Sequence, residues 1–165
     1  MASLLVFLKT ALFTLLVPGT IAVAVPQLLV RWRPLPRLPI RSDAARAIGT
    51  VSLVSGAILY LHTTVRFEQG GGTPSPTDEP PELITNGIYS YTRNPMYIGV
   101  LLLILGQAFR LRSVSVLWWA VGCWIGFHNR IVEFEEPHLA EKHGECYELY
   151  CEHVPRWLPG IHQSD

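Results

Sequence analysis

The sequence predicts an all-α membrane protein with about four transmembrane helices, a helical hairpin and a polar C-terminal tail helix. Apolar residues make up 49% of the chain and charged residues only 16%, whereas an average soluble protein carries about 25% charged residues. Four long windows contain no charged residue, and they lie between Lys9 and Arg31, Arg46 and Arg66, Arg93 and Arg110, and Arg112 and Arg130. A helix that crosses about 30 Å of hydrocarbon needs roughly 20 apolar residues. A soluble protein with four such helices would have too little amphipathic surface to cover them.

We treat residues 1–165 as a single domain, whose N-terminal part, residues 1–66, is predicted to hold two helices. The first covers roughly residues 4–30. Pro18-Gly19 predicts a kink in it, because proline removes an intrahelical hydrogen bond. Its apolar run is long for a signal peptide, which favours a membrane helix. A basic connector rich in proline follows at residues 31–46, and the second helix completes this part.

The C-terminal part, residues 67–165, is predicted to hold a cofactor loop, the hairpin and the tail. The loop is rich in glycine and proline, and so long a loop in a small domain is usually functional or disordered. The hairpin spans roughly residues 96–131, and the tail helix lies within residues 137–152. Gly122 and Gly126 stand four apart in the hairpin, which predicts a face for close helix packing. With four crossings, the loop and the tail lie on the same side of the membrane.

Overall charge and metal-ligand spacing exclude several function classes. The net charge is zero and the isoelectric point is near 7.0, so no nucleic-acid partner is predicted. The three cysteines show no CxxC spacing, which argues against a disulfide framework. His138 and His143 stand five apart, off the four-residue spacing that puts two ligands on one helix face, so no metal site is predicted.

The positions of the arginines predict one orientation in the membrane, and the need for a cytosolic cofactor predicts the opposite one. Seven arginines lie in residues 31–46 and in the Arg110–Arg112 turn. The positive-inside rule would place that side in the cytoplasm. A site that uses a cytosolic cofactor requires the loop and the tail to face the cytoplasm instead. The sequence leaves this conflict open, and we expect the cofactor site to face the cytoplasm.

The step Asn94-Pro95 predicts the start of a helix at the membrane surface. Proline suits the first turn of a helix and asparagine suits its cap. The unpaired N–H groups of such a helix start suit a carboxylate or another anionic group. Tyr89, Tyr91 and Tyr97 lie around this step, and they could stack on a planar ring or anchor the chain at the membrane interface.

The segment "RIVEFEEP" places Arg130, Glu133, Glu135 and Glu136 at the end of the last predicted membrane helix. Adjacent carboxylates repel one another unless they are solvated, paired or bound to a cation. The segment could therefore be a solvated helix end, with Arg130 paired to Glu133 or Glu135. It could equally bind the ammonium or sulfonium part of a ligand, or supply a base.

Two segments and the hairpin between them resemble a known family. "LITNGIYSYTRNPMYIG", the apolar hairpin and "EFEEPHLAEKHGECYELYCEHVPRWLP" resemble the membrane methyltransferases related to isoprenylcysteine carboxyl methyltransferase and the phospholipid N-methyltransferases. The shared pattern is Gly-x-Tyr, Arg-(His/Asn)-Pro-x-Tyr, a hairpin, Glu-Glu, Gly-x-x-Tyr-x-x-Tyr and Val-Pro-Arg. The resemblance covers roughly residues 70–159, and the first two helices carry no such signature.

This resemblance implies S-adenosylmethionine as the cofactor and a lipid-like acceptor that enters from the bilayer. The implied cofactor-binding residues are Leu83, Ile84, Tyr89, Asn94, Pro95, Met96, Tyr97 and Glu135. The implied catalytic residues are Glu135, Glu136 and Arg130. A glutamate would be the base for an amine acceptor, and Arg130 would contact the substrate. Tyr147, Tyr150 and Arg156 match the tail pattern. Asn94 stands where the prenylcysteine enzymes have histidine.

The predicted function is methyl transfer from S-adenosylmethionine to a lipophilic carboxylate or amine at the membrane surface, by a multi-pass integral membrane protein. Its expected partners are the lipid-like acceptor and the bilayer, and its oligomeric state stays open. One alternative is an NADPH-dependent membrane reductase, because related loops occur in membrane sterol reductases. A second alternative is a non-catalytic membrane scaffold that has kept the fold.

Overall fold

The computed structural model describes residues 2–32, 37–73 and 80–157, and within these ranges it is all-α, as predicted. Its α-helices are α1 (Ala2–Leu16), α2 (Val25–Trp32), α3 (Ser42–Gln69), α4 (Pro95–Arg110), α5 (Val114–Arg130), α6 (Glu136–His143) and α7 (Glu145–His153). The remaining helical segments are two π-helices, Thr20–Ala24 and Ile131–Glu135, and one 3-10 turn, Gly87–Ser90.

Two long apolar segments have the dimensions of membrane spans. Phe7–Trp32 has 26 residues with a mean hydropathy of 1.9, and Ser42–Gln69 has 28 residues with a mean hydropathy of 1.5. Only 17% and 22% of their most apolar windows are buried, whereas a core helix of a soluble protein buries its apolar face. These helices therefore turn apolar side chains outward, as membrane helices do. α4 is a shorter apolar helix, and the four crossings stay a prediction.

The first membrane segment is interrupted close to the predicted kink. A π-helical stretch, Thr20–Ala24, follows Pro18-Gly19 and separates α1 from α2. The indole N–H of Trp119 donates to the carbonyl of Ile21 at 2.9 Å, and the amide of Gln107 donates to the carbonyl of Ala22. Backbone groups within a membrane must find partners inside the protein, so these two side chains support the irregular turn.

α3 and α4 pack antiparallel through small residues. The glycines of this contact are Gly49, Gly56, Gly99 and Gly106. A Cβ on Gly56 would lie 2.8 Å from the carbonyl oxygen of Gly99, so only glycine permits this approach of the two backbones. A Cβ on Gly122 or Gly126 would meet no described atom within 4 Å. The close packing predicted at those two glycines is therefore wrong for the described chain, and it occurs between α3 and α4 instead.

One end of the helical bundle, which we call the connector end, comprises residues 31–32 and 37–46 and the Arg110–Arg112 turn. The Leu38 N–H donates to the Arg112 carbonyl at 2.9 Å, and the Arg112 guanidinium returns a bond of 3.0 Å to the Leu38 carbonyl. These two bonds fasten the connector to the turn of the hairpin. Arg110 donates to the hydroxyl of Thr50 at 2.7 Å, which joins that turn to α3.

The opposite end, which we call the cavity end, comprises residues 66–73, 80–93 and 130–157. Its loop and tail are joined by hydrogen bonds, as their predicted placement on one side requires. The Arg93 N–H donates to the Pro155 carbonyl at 2.9 Å. The Thr92 hydroxyl and the Asn94 amide each donate to the Arg156 carbonyl at 3.1 Å.

The tail helix differs from the single helix predicted over residues 137–152. Gly144 has a φ of +55° and divides it into α6 and α7, because a left-handed residue ends the helical ladder and glycine adopts it without steric cost. Before the break, the ammonium of Lys142 donates to the carbonyl of Pro80 at 3.1 Å. The break thus separates α6, whose Lys142 contacts the loop, from α7.

Candidate functional site

A cavity of about 490 Å³ opens at the cavity end, between the loop, the start of α4, the second π-helix and α6 and α7. Of the ten site residues predicted from sequence, nine line it: Leu83, Ile84, Tyr89, Asn94, Met96, Tyr97, Arg130, Glu135 and Glu136. These residues are up to 53 positions apart in the sequence, and contacts between the start of α4 and the second π-helix, such as the hydrogen bond from Tyr97 to Glu135, bring them to one space.

The start of α4 forms part of the cavity wall. Pro95 is the first residue of α4 and is buried rather than lining the cavity; its missing N–H costs nothing there. Asn94 precedes it, but its side chain makes no cap bond and bonds the Arg156 carbonyl instead. Asn94 is thus the N-cap residue of α4, as predicted, but its side chain does not make the capping bond. The first N–H groups of an α-helix lack intrahelical acceptors, so those of Met96 and Tyr97 suit an anionic group.

Glu135 is held at the cavity by two donors. The Tyr97 hydroxyl donates to Glu135 Oε1, and Arg130 Nε lies 2.9 Å from the same oxygen. The Arg130 and Glu135 side chains are 45% and 30% exposed, so this pair remains open to the cavity and to solvent. A carboxylate with one committed oxygen at a cavity wall can still attract a cationic ligand.

Glu136 is the centre of a more deeply buried ion-pair network. Arg156 binds it through two bonds of 2.7 and 2.8 Å, and Arg93 Nη1 lies 2.9 Å from Oε1. Burial alone would raise the pKa of Glu136, but the hydrogen bond from Arg156 and the charges of both arginines outweigh burial and lower that pKa. Glu136 is therefore a structural anion, and it is poorly suited to take up a proton near neutral pH.

Arg93 lines the cavity although the sequence analysis assigned it no role. Its side chain is only 11% exposed, and Nη1 also donates to Cys151 Sγ at 2.6 Å. Its Nε is buried and has no hydrogen-bond partner among the described residues. Buried donors in native proteins are almost always paired, so this N–H suits an acceptor on a bound ligand. Its position beside Asn94-Pro95 in the quoted motif was the available signal.

Tyrosines supply the aromatic walls of the cavity. Tyr89 and Tyr147 are buried, and the Tyr150 hydroxyl donates to the Tyr89 carbonyl at 2.7 Å. Burial is the main cause that raises the pKa of all three phenols, so they stay protonated donors. Tyr91 is 54% exposed and does not line the cavity, so it does not stack on a ligand there, and interfacial anchoring stays a prediction for it.

The cavity also has an apolar side that the sequence analysis did not assign. Its apolar lining residues include Phe67, Pro80, Ile131, Phe134 and Leu139. Phe134 is 64% exposed, and it lies in the π-helix that continues from α5. An exposed aromatic side chain at this point gives a lipophilic molecule an apolar surface next to the carboxylates.

The residues that line the cavity include the acidic and imidazole side chains of Glu82, His138 and His143. Within the part of the chain that the structure describes, no three His, Cys, Asp or Glu side chains are placed to hold a metal ion. The polar groups of the cavity that can meet a ligand are therefore carboxylates, guanidinium groups, phenols and imidazoles.

The family model and the relatives that match this chain are methyltransferases. The sequence model of the phospholipid methyltransferase family matches residues 44–146, which is more than half of the chain. The chain is 39% identical over 80 residues to a protein-S-isoprenylcysteine O-methyltransferase of Schizosaccharomyces pombe, covering 48% of this chain and 34% of the relative.

Two further relatives carry similar names. A protein-S-isoprenylcysteine O-methyltransferase of Dictyostelium discoideum is 36% identical over 81 residues, covering 48% of this chain and 34% of the relative. The B form from Arabidopsis thaliana is 33% identical over 85 residues, covering 51% and 43%. The chain thus spans between 34% and 43% of the length of these three relatives. No solved structure gives a significant match.

Proposed function

Because the chain belongs to the phospholipid methyltransferase family, we propose that it transfers a methyl group from S-adenosylmethionine to a lipophilic acceptor at the membrane surface. The observation that carries this proposal is the cavity, which collects nine of the ten site residues expected from the sequence. Its volume of about 490 Å³ lies within the roughly 300–1,000 Å³ of ligand pockets in general.

The residues of the cavity fit the chemical groups of the methyl donor. The carboxylate of S-adenosylmethionine suits the unpaired Nε of Arg93 and the first N–H groups of α4. The sulfonium of S-adenosylmethionine suits the charge of Glu135 and the ring faces of Tyr89 and Tyr97, because aromatic faces attract cations. When bound, the donor supplies a methyl carbon made electrophilic by the adjacent sulfonium. The protein positions the two reactants and excludes water.

The state of the two glutamates favours a carboxylate acceptor over an amine. Glu136 is paired with Arg93 and Arg156, and Glu135 accepts bonds from Tyr97 and Arg130. An amine acceptor must lose a proton to a base, whereas a carboxylate is already an anion. The relatives are named O-methyltransferases, which agrees with methyl transfer to oxygen.

Two side chains suit the two parts of such an acceptor. The charge of Arg130 suits its carboxylate, and the apolar surface of Phe134 suits its hydrocarbon chain. Arg130 is 45% exposed at the cavity, and its guanidinium suits the acceptor carboxylate. Phe134 and the apolar lining beside it suit a hydrocarbon chain. The acceptor class we propose is therefore a carboxylate that carries a lipid chain, and the isoprenylcysteine in the names of the relatives is one example.

An assay with two acceptors tests this proposal. The purified protein in detergent receives methyl-labelled S-adenosylmethionine together with either an S-prenylated N-acetylcysteine or phosphatidylethanolamine. We expect label in the prenylcysteine product that is released by mild base, as a methyl ester is. Base-stable label in phosphatidylethanolamine would overturn the carboxylate assignment. Labelling of neither acceptor would contradict the proposed transfer.

We also propose that the cavity end faces the cytoplasm, where the methyl donor is available. Cys146 is an exposed thiol in α7, whereas Cys123 is buried and Cys151 is half-buried. A membrane-impermeant maleimide should therefore label Cys146 only after the cells are permeabilised, and Cys146→Ser should remove that labelling. Labelling of Cys146 in intact cells would place the cavity on the outer side of the membrane. The orientation would then be the one that the positive-inside rule gives.

A further inference from the structure

The charges of the chain are divided between its two ends. Among the described residues, the connector end carries six arginines and a single acidic residue, Asp43. The described residues of the cavity end include five basic and nine acidic ones. The connector end therefore has a positive charge that Asp43 offsets only in small part, and the proposed methyl transfer makes no use of it.

The arginines of the connector end point outward. Arg31, Arg37, Arg41, Arg46 and Arg110 are all exposed. Among the described residues, the side-chain contacts of these arginines are bonds to uncharged groups, from Arg110 to Thr50 and from Arg112 to the Leu38 carbonyl. Because those acceptors are uncharged, the positive charges stay available to an anionic partner.

Two exposed tryptophans lie at the same end. Trp32, at the end of α2, is 80% exposed, and Trp118, in the first turns of α5, is 66% exposed. Exposed tryptophans at the ends of apolar helices are typical of the boundary between hydrocarbon and headgroups. Their position puts the neighbouring arginines at the depth of the lipid headgroups.

We propose that the connector end binds the headgroups of anionic phospholipids. A guanidinium pairs with a phosphate through two parallel hydrogen bonds. The charged surface lies at the ends of helices whose sides are apolar and therefore face hydrocarbon. The anions next to this surface are thus the lipid headgroups at the membrane boundary. A basic side chain near an anionic membrane surface strengthens binding about fivefold.

Native mass spectrometry of the full chain in mild detergent tests this proposal. Phosphatidylglycerol and phosphatidylcholine with identical acyl chains are added in equal amounts. We expect preferential retention of phosphatidylglycerol, which weakens as salt is raised. In Arg31→Gln/Arg41→Gln/Arg46→Gln, the affinity for phosphatidylglycerol should fall by about tenfold or more. These three exposed arginines are chosen because their replacement leaves the bonds of Arg110 and Arg112 in place.

The matched control is Glu145→Gln/Glu148→Gln/Glu152→Gln, which changes three exposed charges on α7 at the other end. It should keep the preference of the unmodified protein for phosphatidylglycerol. Equal retention of the two lipids by the unmodified protein, or an equal loss in the control, would overturn the proposal. Displacement of the lipid by an equal concentration of sn-glycerol 3-phosphate would also overturn it, because the site would then take soluble phosphates. The comparison of the two lipids on the unmodified protein decides the matter even if the arginine variant fails to fold.

Discussion

The arginines at the two ends of the helical bundle differ in their surroundings. Those at the cavity end are mostly paired with a carboxylate, whereas those at the connector end are mostly exposed. At the cavity end, Arg93 and Arg156 converge on Glu136, whose side chain is only 18% exposed. At the connector end, Arg110 and Arg112 bond to a hydroxyl and a carbonyl, and their neighbours face outward. Charges that are paired and partly buried fix a geometry, which suits a small ligand. Charges that are exposed and unneutralised suit a broad anionic surface.

The largest loss of stability should follow from removing the centre of the buried network. Glu136→Ala leaves the 11% exposed side chain of Arg93 without its carboxylate. Breaking a buried ion pair from one side costs about 3–5 kcal/mol. We expect a loss near the lower limit, because Arg156 is 31% exposed. Thermal unfolding in detergent measures it, and Glu148→Ala, on the exposed face of α7, should change the midpoint little. Equal midpoints in the two variants would refute the network.

The contact of α3 with α4, which joins the two ends, should be nearly as sensitive. A Cβ on Gly49 would lie 2.7 Å from the carbonyl oxygen of Gly106, and overpacking of this kind costs about 1–3 kcal/mol. Gly49→Ala should therefore lower the unfolding midpoint clearly. Gly122→Ala, where no described atom lies within 4 Å, should leave it unchanged. A larger loss in Gly122→Ala would mean that α5 has a close neighbour.

The cavity end should also respond to acid. The lowered pKa of Glu136 means that its ion pairs stabilise the fold above the ordinary glutamate value near 4.5. This contribution is lost as the pH falls through the lower pKa of the folded state. Unfolding midpoints should therefore drop more steeply below pH 4.5 in the unmodified protein than in Glu136→Gln. Parallel acid profiles for the two proteins would count against the pairing.

The smallest effect on stability is expected at the connector end. Arg41 is exposed, and substitutions at such surface positions usually change stability by less than about 0.5 kcal/mol. Arg41→Gln should thus leave the unfolding midpoint in neutral detergent unchanged, while Glu136→Ala lowers it. A comparable destabilisation by both would remove the distinction between the two ends.

The sequence predicted the helices well, because a run of residues without charge can be read from the sequence without knowing which distant residues it contacts. It did not predict the π-helix Thr20–Ala24, whose carbonyls accept bonds from Gln107 and Trp119, 85 and 98 residues away in sequence. Gly144 appeared within a helical pattern, and only its φ of +55° in the folded chain shows that the helix breaks there.

The site followed the same rule. Motif positions such as Leu83, Tyr89 and Glu135 line the cavity, and their role in binding stays a prediction. Of the side-chain partners, the sequence offered Arg130 with Glu133 or Glu135, and the structure pairs Arg130 with Glu135. Asn94 is the N-cap residue of α4, yet its amide bonds the Arg156 carbonyl 62 residues later. Glu136 was assigned as a possible base, yet two arginines from the loop and the tail hold it as an anion. Long-range pairing of this kind leaves no pattern in a single sequence.

Calorimetric titration of the detergent-solubilised protein with S-adenosylmethionine, with NADPH as a parallel ligand, tests the central assignment of the cavity most directly. We expect micromolar binding of S-adenosylmethionine alone. Glu135→Gln should weaken it by about tenfold, because a hydrogen-bonded charge contributes roughly 1.5–3 kcal/mol. Glu148→Gln should bind as the unmodified protein does. Binding of NADPH alone would identify a reductase, and binding of neither ligand would identify a scaffold; either result would contradict the methyltransferase assignment.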